Sequence, residues 1–446
     1  MNIVIIGAGY VGLVSGACFS EFGFNVMCVD HNDNRIEDLN MGKIPIYEPG
    51  LDKLVEKNVL AKRLKFSVKL PENFRNIDAV FIAVGTPSIL GKRKVELSYV
   101  FDAVKDIAKN INVDDNPILI VTKSTVPVGT SRKIEEVIQD FRPDLKPVKN
   151  FNIASNPEFL REGSAIEDFM RPDRVICGTE SDSARTILQE LYRPLNLRET
   201  PIIFTSIETA ELIKYASNSF LATKITFINE IADICEKIGA DVQQVAKGIG
   251  LDKRIGLKYL HPGPGFGGSC FPKDTRALVE IGKQIKTRIR IVESVILSNE
   301  ERKLNMVKKI QKSVGDLSKK NIAILGITFK PNTDDMRDSP SLVIVPELVR
   351  LCNNVKIYDP VGMENARKME QFKNVSWCTD TFACIRGTDA MVIITEWNEF
   401  RALDLNKVKS VLKNPLVIDL RNIYREEQMK SAGIRYISIG RGKIES

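Results

Sequence analysis

The chain reads as an α/β protein: two doubly wound parallel sheets joined by a long central helix. Three observations predict this. Apolar, strand-like runs alternate with amphipathic helical stretches through the first half of the 446 residues. Helical periodicity then continues almost unbroken from about Ile207 to Ile238, and past residue 320 the strand pattern of the first half returns. Strands covered by helices on both faces are apolar on both sides, so they read as continuous apolar runs. A chain of this length exceeds one ordinary core, and two or three domains are expected.

The first strand is "NIVIIG" (2–7), followed by the turn "GAGYVG" (7–12), a helix to about Phe22, and a second strand, "NVMCVD" (25–30), ending in Asp30. Gly7, Gly9 and Gly12 make a G-x-G-x-x-G turn between strand and helix. Gly7 permits the tight turn, Gly9 lets a pyrophosphate approach the backbone, and Gly12 lets the helix pack on the strand. The helix N-terminus favours the anion. Asp30 can accept bonds from both ribose hydroxyls, which selects NAD and repels the extra phosphate of NADP. A purely structural glycine turn is the alternative, and the strand–turn–helix context with its acid favours the dinucleotide.

Alternation continues through "DAVFIAVGTP" (78–87), "PILIVTKSTVPVG" (117–129) with its helix "TSRKIEEVIQDF" (130–141), and "FNIASNPEFL" (151–160). The helix from about Ile207 would span ~45 Å, long enough to bridge two domains. A second helical segment covers about 275–316. After "KK" (319–320), "NIAILG" (321–326) echoes the first strand, "NVKIYDP" (354–360) the second, again ending in Asp, and "DAMVIITEW" (389–397) the third. Both halves are therefore expected to be Rossmann-like. The second lacks the glycine signature: "GITFKPNTDDMRDSP" (326–340) offers Lys330 and Arg337 instead, which would hold phosphate by charge. The two halves are expected to bind different nucleotides.

Composition narrows the chemistry. Hydrophobic content of 43%, charged content of 27% and a net charge of +7 suit a globular enzyme. The basic clusters "KRLK" (62–65) and "KRK" (92–94) are short and lack interleaved aromatics. They read as solvated surface, and no nucleic-acid partner is expected. The apolar opening up to Glu21 has no basic leader, is broken by glycines and starts as a strand, so neither signal peptide nor membrane span is expected. The location expected is cytoplasmic. Eight cysteines form no C-x-x-C pair, and His31 and His261 are the two histidines. No metal is expected, and proton transfer falls to Lys, Asp, Glu or water.

Three stretches carry candidate chemistry. "KYASN" puts Lys214 and Asn218 at i and i+4 on one face of the long helix, where a half-buried lysine could stabilise a negative oxygen or simply be a surface cation. "SNPEFLREG" (155–163) puts Glu158 and Glu162 after a strand, where open α/β sheets bind ligands; a capping loop is the plain alternative. "HPGPGFGGSCFPKD" (261–274) sets Cys270 between flexible glycines and a helix start, beside Lys273. The ordinary reading is an inert thiol, but this setting favours the thiolate. A thiolate can trap an aldehyde as a thiohemiacetal, which oxidation turns into a thioester and water into an acid.

Together "GAGYVGLV", "VGTP", "KSTVPVGT", "NPEFLREG", "ELIKYASNSFLATKI", "GPGFGGSCFPKD" and "FKPNTDDMRDSP" resemble the UDP-glucose 6-dehydrogenase family of nucleotide-sugar dehydrogenases, over roughly residues 1 to 435. The resemblance implies a four-electron oxidation of a UDP-sugar with NAD, feeding polysaccharide synthesis, in a homodimer. It implies an NAD-binding domain at 1–200, a helical connector and dimerisation domain at 201–316, and a UDP-sugar-binding domain at 317–446. Cys270 matches the nucleophile, Lys214 the oxyanion partner, Asp274 and Asn218 the groups that activate water, and Glu158 the acid/base of thioester hydrolysis. Thr125 matches a hydroxyl near the reacting centre. Asp30, Arg35, Thr86, Thr125, Glu162, Lys273 and Arg337 match NAD contacts, with the backbone near Tyr10 and Val11. Arg35 stands where many relatives carry lysine, and the cation is kept. For the UDP-sugar the matches are Glu158, Phe159, Leu160, Arg161 and Glu162, then Lys214 and Asn218, then Tyr259, Leu260, His261, Pro262, Gly263 and Gly267, and finally Lys330. Arg254 corresponds to a residue that reaches a sugar in the neighbouring subunit. The competing readings are GDP-mannose 6-dehydrogenase, another UDP-sugar 6-dehydrogenase, or a two-electron hydroxy-acid dehydrogenase. The last would need neither Cys270 nor a second nucleotide-binding half.

Overall fold

Strand-forming runs and amphipathic helices assemble into two compact units in a computed structural model, which describes residues 1–87 and 95–442. The basic run at 92–94 lies outside the described residues. The first unit holds Met1–Ser217 with Lys283–Ile285; the second holds Asn218–Gly282 and the chain from Lys286 onward.

The first unit is an eight-stranded sheet with β1 (Asn2–Ile6), β2 (Asn25–Val29), β3 (Leu64–Ser67), β4 (Ala79–Ile82), β5 (Ile118–Thr122), β6 (Phe151–Ser155), β7 (Val175–Gly178) and β8 (Ile202–Thr205). Their order is β3-β2-β1-β4-β5-β6-β7-β8. Every residue of β4, β5 and β6 is buried, as strands covered on both faces must be. Alternate residues feed alternate faces: Ile3, Ile5 and Phe81 join Phe19 on one side, while Val4, Val80 and Ile82 join Val104 on the other. From β3 to β6 the ladder is parallel. It departs from the all-parallel expectation at one edge. β6 meets β7 antiparallel through a single pairing, Ser155 with Gly178, and β7–β8 then run parallel to each other. A Cβ on Gly178 would lie 2.6 Å from that of Ala210, so this edge packs tightly on the start of the long helix.

The second unit is a six-stranded sheet of β9 (Asn321–Leu325), β10 (Asn354–Tyr358), β11 (Ser376–Trp377), β12 (Ala390–Ile393), β13 (Leu416–Asp419) and β14 (Arg435–Ile437). Its order is β11-β10-β9-β12-β13-β14 and every pair is parallel. The internal repeat is structural. Asp30, just past β2, accepts the Ala8 N–H at 2.8 Å, and Asp359, just past β10, accepts that of Ile327 at 2.7 Å. Gly7 and Gly326 precede those amides with φ +105° and +81°. A Cβ on either would strike the end of the neighbouring strand, at Ala83 or Thr395, within 2.5 Å.

The long helix spans Ile207–Ile238, 32 residues, and the unit boundary falls inside it, between Ser217 and Asn218. The second helical segment, expected to be continuous, is two helices, Phe271–Gln284 and Arg290–Val314. Between them Lys286 adopts φ +58°, and Thr287 N–H closes on the Gly282 carbonyl at 2.7 Å. A left-handed residue just past a helix end terminates it whatever the apolar spacing beyond. Glycine is usual there, and the lysine concealed the stop.

Candidate functional site

The glycine turn of the first unit has the shape its sequence implies. A Cβ on Gly12 would sit 1.8 Å from the Gly7 carbonyl oxygen, so helix Tyr10–Glu21 approaches the turn as only glycine allows. Around Gly9 there is nothing within 4 Å of the same test position. The result is an open approach over backbone amides at a helix start, and it fits a pyrophosphate. Val11 follows in the first turn of that helix. Asp30 is buried; burial pushes its carboxyl up, but the amides of Ala8 and Asn32 and the Arg35 guanidinium at 2.9 Å outweigh this and hold it below its ordinary value. Arg35 lies in a helix capped by Asn32, whose oxygen accepts the Arg35 N–H at 3.0 Å. Thr86 donates its hydroxyl to the Thr125 carbonyl at 3.0 Å, tying the loops after β4 and β5. Tyr10 donates to Glu48, which also accepts the amides of Gly163 at 2.6 Å and Ala165 at 2.8 Å. The glycine turn is thereby fastened to the end of the 158–163 segment.

That segment follows β6. Lys214 Nζ, buried, lies 2.9 Å from Glu158 Oε1 and 2.6 Å from the Glu158 carbonyl oxygen. Burial pushes the Glu158 carboxyl up; the Lys214 charge and hydrogen bond, the Leu160 amide and the Lys123 charge pull it net below its ordinary value. Phe159 presents its ring to Lys214 Nζ at 5.3 Å and to the Arg174 guanidinium at 3.6 Å. Arg161 is exposed and pairs with Asp168 at 2.6 Å, while Glu162 is half-buried.

In the second unit, residues 262–268 form a buried glycine loop. Asn229 accepts the Gly263 N–H at 2.8 Å, Arg302 donates to the Gly263 carbonyl at 3.0 Å, and Asn299 bonds both the N–H and C=O of Phe266. Gly267 and Gly268 are wedged against other backbone and rings: a Cβ on the first would lie 2.5 Å from the Asp338 carbonyl oxygen, on the second 2.6 Å from Phe329. Half-buried Cys270 ends the loop, with its Sγ 3.4 Å from Ser269 Oγ. Helix Phe271–Gln284 begins at the next residue, and its first turn brings Asp274 under the loop, where its N–H bonds the Cys270 carbonyl at 2.8 Å. Asp274, fully buried, accepts Asn218 Nδ2 at 2.6 Å and faces Lys273 Nζ at 3.1 Å. Before the loop, Tyr259 has φ +66° and its ring lies 6.0 Å from Phe271; Leu260 and Pro262 are buried and His261 is exposed. Lys330 lies over the Phe329 ring, and Arg337 pairs with Asp335 at 2.8 Å. Arg254 is exposed and pairs with Asp252 on its own loop.

The predicted residues therefore fall into three neighbourhoods: the glycine turn with Asp30 and Arg35, the Glu158–Lys214 pair, and the glycine loop with Cys270, Asp274 and Asn218. Sequence reasoning missed Glu48, Lys123, Arg174, Asn229, Asn299 and Arg302. Their signal is faint: a polar residue on an otherwise apolar helix face, beside a strand end or, for Glu48, in a loop between helices, with its partner distant in sequence.

Two sheets that each close a strand on a buried acid gripping the preceding turn are built for nucleotides, and the open approach over Gly9 suits a dinucleotide. This defines the class, a dinucleotide-dependent dehydrogenase. The chain belongs to the UDP-glucose/GDP-mannose dehydrogenase family: residues 1–196 match its NAD binding domain, 208–301 its central domain and 323–426 its UDP binding domain. The cofactor is NAD. Similar proteins include UDP-glucose 6-dehydrogenase of Rhizobium meliloti, 53% identical over 444 residues, covering 99% of this chain and 100% of that one. UDP-glucose 6-dehydrogenase TuaD of Bacillus subtilis is 47% identical over 443 residues, 99% of this chain and 94% of that one. Among solved structures, a UDP-glucose dehydrogenase from the hyperthermophilic archaeon Pyrobaculum islandicum superposes with TM-score 0.88 at 35% identity, covering 98% of this chain and 96% of that one.

Proposed function

We propose that this chain oxidises the C6 primary alcohol of UDP-glucose to the carboxylate of UDP-glucuronate, consuming two NAD per sugar through a covalent intermediate on Cys270. The observation that carries the reading is the placing of that thiol: it stands at the end of a rigidly held glycine loop, directly before a helix whose first turn supplies a buried, hydrogen-bonded carboxylate. The full-length likeness to proteins named UDP-glucose 6-dehydrogenase supports the choice of sugar.

Bound NAD supplies hydride acceptance, one equivalent per dinucleotide, and Gly7, Gly9, Gly12, Asp30 and Arg35 are the residues that would hold it. The chain's own groups do the rest. Loss of hydride and a proton turns the alcohol into an aldehyde, whose oxygen Lys214 stabilises as negative charge develops. Cys270 Sγ forms a bond to the aldehyde carbon, giving a thiohemiacetal. Loss of a second hydride and the hydroxyl proton leaves a thioester. Water, oriented by Asp274 and Asn218 and deprotonated with help from Glu158, adds to the carbonyl carbon; the C–S bond breaks and the thiolate returns. The balance is one alcohol, one water and two NAD giving one carboxylate, two NADH and three protons.

The reading extends to assembly and location. Phe220, Phe227 and Ile234 recur every seven residues along the long helix and are all exposed. Such a stripe suits a homodimer seam in a dimerisation segment at 201–316, between cofactor (1–200) and UDP-sugar (317–446) domains. All eight cysteines are free thiols, as a reducing compartment such as the cytoplasm favours. Among the described residues no helix is long and apolar enough to cross a membrane.

The test is NADH formation by the purified protein with UDP-glucose, UDP-N-acetylmannosamine and GDP-mannose in parallel. UDP-glucose is expected to give the highest kcat/KM. Turnover of either other sugar with UDP-glucose inert would overturn the reading.

A further inference from the structure

Lys123 is a buried cation that takes no part in the steps of the proposed reaction. It follows β5 directly, its N–H anchored to the Ile82 carbonyl at 2.9 Å, and it is 3% exposed. Its ammonium donates to Asn156 Oδ1 at 3.0 Å, and the Asn156 carbonyl and Tyr192 Oη both lie 3.4 Å away. Tyr192 donates to the same Asn156 oxygen at 2.5 Å, and Asn156 Nδ2 donates to the Ile176 carbonyl at 2.8 Å, so the orientation of Asn156 is fixed from three sides. Asn156 stands two residues before Glu158.

We propose that Lys123 is a positioning residue for the reaction: its ammonium clamps the Asn156 end of the segment that carries Glu158 and, as a second buried cation acting on that carboxylate beside Lys214, keeps Glu158 ionised. A buried ammonium without a counter-charge is expensive, so something must balance it. Neither neighbour that could become anionic does so. Burial pushes the Cys177 thiol up to about 12 and the Tyr192 phenol well above its ordinary value, leaving both neutral at working pH. Glu158 is the carboxylate whose charge acts on Lys123, and Lys123 in turn helps hold Glu158 below its ordinary value. Burial lowers the Lys123 ammonium to about 8, with Glu158 opposing the fall and Lys214 adding to it. One carboxylate thus answers two cations, and it is kept in the form that accepts a proton from water rather than donates one.

The inference rests on the role given to Glu158 in the proposed function. The experiment measures kcat against pH from 3.5 to 9.5 for the full-length protein and for Lys123→Gln, which keeps a donor for Asn156 but removes the charge. Wild type is expected to show an acidic limb from Glu158 and an alkaline limb near Lys123's own titration. Lys123→Gln should shift the acidic limb upward by about one unit, cutting kcat by up to about tenfold at the acidic end of the range. It should also lose the alkaline limb, with KM for NAD unchanged and kcat near pH 7 barely altered by the acidic shift. Tyr192→Phe, which removes an acceptor from the ammonium without touching the charge, should move the alkaline limb downward, and it decides the matter should Lys123→Gln not fold. A uniform loss of kcat with the profile unmoved, or an alkaline limb unmoved in Tyr192→Phe, overturns the assignment. A wild-type protein inert toward UDP-glucose refutes the parent reading and this assignment with it. Full wild-type turnover with unmoved variant profiles refutes the assignment alone.

Discussion

Cys270 and Asp274 could be singled out from sequence because their chemistry is local: glycines before the thiol, a helix start after it, a carboxylate one turn on. Their partners were less legible. Asn218 is 56 residues from Asp274 and Glu158 is 56 from Lys214, and the i, i+4 spacing of Lys214 and Asn218 hinted at shared use without saying what either would touch. Asn229, Asn299 and Arg302, which hold the glycine loop, look in sequence like ordinary polar positions on amphipathic helices. Their purpose depends on backbone groups that only the folded loop offers. At this scale Cys270→Ser should cut formation of the uronic acid on the order of a thousandfold or more, since an alkoxide forms far less readily than a thiolate. Chromatographic yield of UDP-glucuronate reads this, and full turnover by the serine variant would refute the covalent step. Glu158 also makes a stability prediction. Its folded carboxyl lies below its unfolded value, so the group contributes stability that is fully present above the unfolded pKa and is lost as pH falls through the depressed folded one. Glu158→Gln should therefore flatten the fall of Tm between about pH 5 and pH 3, as calorimetry would show.

Elements were legible where one signal dominated. The long helix has the expected ends, Ile207 and Ile238, because apolar periodicity is unbroken there. The segment at 275–316 misled because periodicity continues through a break whose stop signal is a left-handed lysine rather than glycine. The G-x-G-x-x-G turn supports a pair of contrasting predictions. Gly12→Ala puts a methyl 1.8 Å from the Gly7 carbonyl oxygen and must push helix Tyr10–Glu21 off its strand. It should lower Tm by several degrees, corresponding to about 2 kcal/mol or more of overpacking, and weaken NAD binding with it. Gly9→Ala meets nothing within 4 Å, so Tm should hold while KM for NAD rises by about tenfold or more. Thermal melts beside NAD titrations separate the two, and equal Tm losses would contradict the geometry.

At the scale of the molecule, the echo of "NIVIIG" and "NVMCVD" in "NIAILG" and "NVKIYD" was enough to find two nucleotide-binding sheets, since the strand-end acids Asp30 and Asp359 grip their turns in the same way. The antiparallel edge at β7 was not legible, because strand direction at an edge depends on how the 156–174 connection crosses the sheet, and side-chain pattern does not record it. The homodimer proposed from the seven-residue stripe on the long helix predicts a dimer mass in sedimentation velocity that Phe220→Asp with Phe227→Asp reduces to a monomer's, while a mass unchanged by the substitutions would refute the proposed seam. The reaction itself is tested most directly by counting product: NADH released per UDP-glucose consumed to completion, with sugar limiting. Two NADH per sugar, with UDP-glucuronate as the other product, is the predicted result. A ratio of one, with an aldehyde or ketone accumulating, would contradict it.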